Sequence, residues 1–274
     1  LTQPDGLTVA TEFKPEYPAQ TTDISYGITQ PSEATEMAKM GYFAEPTPGT
    51  RNGDSESLLI LDEVVFSRTS GLFISDSSLT LTGAGNGQII RYKLVSPSAS
   101  GAQFTNPTTE DTIFDDPIAL IDSVVVRAAV FSENSERRGP ITTHHFLRVD
   151  TTLIQRVDTF SSQLPIVVFD NHGFGPMIKD EIERPAWLYA FTPGENGLTS
   201  LGESPTLTGG LELEVRGQSS SLFPKKSYKW DFVDPMGLKV ELEFPGMGKF
   251  NEWAIIGPWK WDRSNIRNAF VYGL

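Results

Sequence analysis

The stretch Gly210-Leu211-Glu212-Leu213-Glu214-Val215-Arg216, continuing through Gly217-Gln218-Ser219-Ser220-Ser221-Leu222-Phe223-Pro224-Lys225-Lys226-Ser227-Tyr228, decides how the carboxy-terminal half is read. Leu211, Leu213 and Val215 alternate with Glu212, Glu214 and Arg216, the period of a strand with one buried face. The Gly/Ser run is a turn, and Lys226–Val233 is a second strand. On that strand Lys226, Tyr228, Trp230 and Phe232 share one face, and Lys225, Ser227, Lys229 and Asp231 the other. A Gly/Ser turn can bring backbone N–H groups close to an anion, and a lysine on the next strand supplies a point charge. Lys226 heads the aromatic row, and lysine is rarely buried without a partner. Two readings stay open: the side chain snorkels out at the strand end, or it faces a cleft where a carboxylate or phosphate meets it.

Outward from this hairpin, Leu164–Phe169 is a nearly continuous apolar run, as expected of a central strand. Trp187–Phe191 and Glu252–Ile256 are further strands. Ser264–Leu274 has helical periodicity, with Ile266, Ala269, Phe270 and Leu274 on one face. That row needs cover from the remainder of its own chain or from another chain. Residues 57–150 read as all-β, with strands at Glu63–Ser67, Ser78–Thr82, Ile89–Leu94, Ser123–Ser132 and Thr142–Val149 and a tight turn at Gly83–Gly87. Short strands at such spacing predict a sandwich. Residues 1–56 are rich in Pro, Thr, Ser and Gly and read as an extended linker, with one short helix at Ser32–Met40. The fold class is therefore mainly β with an α+β carboxy-terminal part.

The 274 residues carry a formal charge of -13, which disfavours nucleic acid and anionic lipid as general partners. With no cysteine, disulfides, thiolate metal sites and a cysteine nucleophile are excluded. No apolar run has the ~18 residues of a membrane span. His144 and His145 are adjacent on a strand and point to opposite faces, so they cannot chelate one metal together. His172 reads as a turn residue. Glu110, Asp111, Asp115 and Asp116 lack the spacing of a calcium loop and read as a solvated loop. Trp253, Trp259 and Trp261 are either core or a sugar-stacking platform.

Three resemblances sharpen this reading. The phrase Asp23-Ile24-Ser25-Tyr26-Gly27 with Tyr42-Phe43 resembles the end of a lamin-tail-type module. Ile89-Ile90-Arg91-Tyr92-Lys93 and Val124–Phe131 resemble the Ig-like domain appended to chitobiases, which implies an Ig-like β-sandwich over 57–150 with a spacer role. Arg216–Ser220, Phe223–Tyr228, Trp253, Gly257-Pro258, Asp262 and Ile266–Ala269, after the entry strand Leu164–Val167, resemble the opening of CotH kinase domains. That resemblance implies an incomplete kinase-like N-lobe over 151–274, an atypical protein kinase using ATP and Mg²⁺, and a secreted protein substrate. It implies Lys226 as the ATP-phosphate lysine, with Arg216, Gly217, Ser219, Ser220 and Lys225 beside it. The catalytic Asp and the metal ligands are expected beyond Leu274, so the chain alone is expected to be inactive and to hold neither cofactor tightly. A secreted or cell-surface location follows. The alternative is a non-catalytic structural or adhesive surface protein, or a carbohydrate-binding one.

Overall fold

The computed structural model describes residues 2–10, 12–13, 16–21, 24–29, 39–52, 60–99, 104–133, 138–149, 160–173, 175–179, 182–234 and 237–259. These residues are nearly all β, with no helix of seven or more residues and none long and apolar enough to cross a membrane. Two five-stranded sheets organise them. The first holds β1 (Gly71–Phe73), β2 (Gln88–Val95), β3 (Thr112–Ile113), β4 (Val124–Ser132) and β5 (Arg138–Arg148) in the order β1-β5-β4-β2-β3. The second holds β6 (Ile166–Asp170), β7 (Arg184–Phe191), β8 (Leu207–Arg216), β9 (Ser227–Val233) and β10 (Glu252–Ile255) as an antiparallel meander in chain order.

The first sheet is one layer of a sandwich. Val126, Ala128 and Val130 of β4, with Ile90 and Phe146, pack against Phe66, Leu79, Leu81, Ile118 and Leu120 of two facing two-stranded ribbons. The expected strand Ser78–Thr82 divides between them. Ser77–Leu79 pairs with Ile118–Leu120, and Leu81–Thr82 pairs with Val65–Phe66. The turn Gly83–Gly87 crosses from one layer to the other, since Leu81–Thr82 and β2 lie in different sheets. Gly83 has φ +116°, and a Cβ there would sit 2.3 Å from the Glu63 carbonyl oxygen, so only glycine fits.

In the meander, one face carries Ala186, Leu188, Leu211, Leu213, Trp230 and Phe232 in a core extended by Phe169, Tyr228 and Trp253. The other face packs on the sandwich, where Tyr189, Phe191 and Leu201 meet Leu72, with Leu147 and Val149 alongside. The run Leu164–Phe169, expected to form a central strand, supplies the edge strand β6. Its apolar side chains on both faces are explained by this double packing rather than by two neighbouring strands. The amino-terminal segment pairs Ser25–Ile28 with Met40–Phe43 and is tied to the sandwich by the buried Arg138, which donates to the Ala44 carbonyl (2.7 Å) and to Glu45 (3.1 Å). The expected helix Ser32–Met40 lies outside the described residues except for Lys39 and Met40, and Met40 opens a strand.

Candidate phosphate site at the 216–228 hairpin

The register of β8 on β9 pairs Leu211 with Phe232, Leu213 with Trp230 and Val215 with Tyr228, and closes at Arg216 with Ser227. The aromatic row thus faces the core, as the alternation requires. Between the strands, Gly217 takes φ +98°, and a Cβ on it would lie 2.1 Å from Ser220 Oγ. Ser219–Leu222 winds into one 3₁₀ turn. Ser221 is buried and donates from Oγ to the Gln218 carbonyl at 2.6 Å, while the Phe223 amide donates to the Ser220 carbonyl at 3.1 Å.

Lys226 precedes the first residue of β9 and is half-buried. Its ammonium donates to the carbonyls of Ser221 (2.7 Å) and Phe223 (3.2 Å) at the end of the 3₁₀ turn. A cation there satisfies backbone acceptors that the turn leaves unpaired. No carboxylate among the described residues pairs with it. An ammonium has three donors, so one remains beyond the two carbonyls. Arg216, Gly217, Ser219 and Lys225 are exposed around the same corner, and Ser220 is half-buried. The Gly257-Pro258 segment reaches this corner too. The Gly257 amide donates to Ser227 Oγ at 3.0 Å, and a Cβ on Gly257 would lie 2.2 Å from the Lys226 carbonyl oxygen. Segments 40 residues apart in the sequence therefore meet at one corner, while Asp262 and Ile266–Ala269 lie outside the described residues.

The polar face of the same strands holds a network that alternation alone presents as solvated. Asp231 is 1% exposed and its Oδ2 accepts from Lys239 at 3.1 Å, with Lys229 at 3.9 Å. Lys229 also reaches Glu252 at 3.7 Å. Burial, then the neighbouring Glu183, pushes the Glu212 carboxyl above its ordinary range. The sequence signal for this network was the recurrence of Glu212, Glu214, Lys229 and Asp231 on one face; their depth depended on what covers that face. Among the described residues no group of three or more His, Asp or Glu is placed to hold a metal. Asp111 accepts from the Thr108 amide at 2.7 Å and pairs with Lys93 at 3.2 Å. Trp253 packs on Phe244 and Phe250, Trp259 is exposed, and Trp261 lies outside the described residues.

The family model described as CotH kinase protein matches residues 213–274, a span that begins inside β8 and includes the 3₁₀ turn, Lys226 and Gly257. Leu164–Val167, expected as the entry strand of the same family, lies outside the matched span. No curated protein matches the chain, and no solved structure does. Over residues 213–274, the carboxy-terminal end of the chain is similar to the CotH kinase family.

Proposed function

We propose that the protein is a CotH-type, secreted or surface-located kinase-like protein in which Lys226 contacts a nucleotide phosphate. The carrying observation is the half-buried Lys226 ammonium at the mouth of the Gly217–Leu222 turn, inside the matched span. The donor set there suits an anion: one spare ammonium N–H, the exposed guanidinium of Arg216, the exposed Lys225, and the Ser219 and Ser220 hydroxyls. Gly217, at positive φ, lets the backbone lie against Ser220 Oγ and so shapes the turn that presents these groups. When bound, ATP with Mg²⁺ would supply the transferable phosphoryl group. The chain's own residues here would bind and orient phosphate oxygens. No residue among those described is assigned to Mg²⁺ or to the substrate hydroxyl.

A second reading has its own observation. Both carbonyl contacts of Lys226 are satisfied without a ligand, as a structural cap requires, and a non-catalytic surface protein would keep the same arrangement. Thermal-shift titration of the intact protein with Mg-ATP separates the two. The nucleotide reading expects ATP to raise Tm in the wild type, and expects Lys226→Ala to lose that rise. The variant's own Tm falls with the cap, by about 1 kcal/mol of stability, so the ATP-dependent increment is the quantity compared. An increment of equal size in Lys226→Ala, or none in the wild type, favours the structural reading.

A further inference from the structure

Two buried ring nitrogens at the joint between sandwich and meander, His145 Nε2 and Trp187 Nε1, have no hydrogen-bond partner, and beside them the buried His172 Nδ1 lies 3.4 Å from Asp170 Oδ2. His145, Trp187 and His172 line one cleft of about 300 Å³, together with Phe104, Glu183 and Glu212. His145 is 5% exposed, and so is the His172 side chain. His145 stacks on Trp187 across the joint, with centroids 3.3 Å apart and planes at 10°. The Phe104 ring lies nearly parallel to His145, with centroids 6.2 Å apart. The backbone at Gly210 bounds the cleft without a side chain. A Cβ there would lie 2.9 Å from the Val233 carbonyl oxygen and 3.2 Å from the Trp187 ring. Buried polar groups are nearly always paired, so two orphans lining one cleft mark a site that a bound ligand would complete. The volume exceeds the ~30 Å³ share of one water several-fold.

The donor set selects the ligand class. Trp187 Nε1 only donates, the His145 imidazole, held neutral by burial, presents Nε2 as donor or acceptor according to its tautomer, and Glu183 and Glu212 accept. Hydroxyls, which donate and accept, match such a mixed wall. The rim carboxylates repel anions, and the ring edges with Pro97 and Ala99 offer apolar contact. We infer that this cleft binds a small uncharged polyhydroxylated ligand, a saccharide unit in chemical class. The site lies on the sheet face opposite the Tyr228–Trp230 row that Lys226 heads, so the inference does not rest on the nucleotide reading.

The test follows the indole N–H NMR resonances while the protein is titrated with glucose, galactose, N-acetylglucosamine and their short oligomers, with Trp187 assigned through Trp187→Phe. At least one sugar gives a saturable, millimolar shift of the Trp187 resonance. Glu212→Ala, on the half-buried rim, weakens it about tenfold, whereas Trp259→Phe leaves it unchanged. The proposal is overturned if no sugar in the panel shifts that resonance saturably. It is equally overturned if the response keeps its wild-type strength in Glu212→Ala, or is lost in Trp259→Phe.

Discussion

Residues carry their chemistry through what surrounds them, and His144 and His145 make the case. They point to opposite faces of β5, as adjacent strand residues must. His144 meets Phe66 in the sandwich core and Ser70 through Nδ1 at 3.1 Å, while His145 faces the meander. Burial holds both imidazoles below their ordinary value of 6.5, His145 well below, with further lowering from His172, His144 and Arg127. Each is neutral in folded and unfolded chains above that value. As pH drops below it, the unfolded chain takes up protons that the folded chain refuses, and stability is lost. Glu212 acts in the other sense. Its raised carboxyl favours the folded state at low pH, and that contribution is lost as pH rises from the ordinary carboxylate value through the raised one. His145→Phe, which keeps a ring beside Phe104 and Trp187, is therefore expected to reduce the fall in Tm between neutral pH and about pH 5. An unchanged pH profile by calorimetry would remove His145 as its source.

At the scale of elements, the hairpin β8–β9 and strand β10 show how a motif scattered in sequence becomes one corner. Alternation of apolar and charged residues was enough to place both strands and the aromatic row, because the core demands that phase. It left Lys226 open between two fates. The structure gives it a partner that spacing does not encode, the carbonyl end of a 3₁₀ turn. Gly257 closes the same corner by lying against the Lys226 backbone. Gly257→Ala would force a Cβ onto that carbonyl, and a cost of about 1–3 kcal/mol is expected from such overpacking. Denaturant unfolding measures it, and a change within error would mean that the β9–β10 end relaxes freely.

For the whole molecule, the decisive contact is the face shared by sandwich and meander. Leu72, Tyr189, Phe191 and Leu201 are each below one-tenth exposed there, and Thr69 bonds Ser204 at 3.2 Å across the same joint. Burial of this kind is expected to couple the two units into one cooperative transition. Leu72→Asp puts an unpaired charge into the cluster. It is expected to split the single calorimetric transition into two; a wild type that already melts in two steps would show the halves to be independent.

The sequence by itself determined the β class, most strands to within a few residues, the turn glycines and the family likeness of the carboxy-terminal segment. All of these follow from local rules: side-chain period, φ sign and motif order. Tertiary structure alone decided that Leu164–Phe169 is an edge strand, that Ser78–Thr82 divides between two partners, that Asp231 is buried, and that His145, His172 and Trp187 share a cleft. Each of those depends on which surfaces meet across long stretches of chain, and periodicity gives a buried face without naming what covers it.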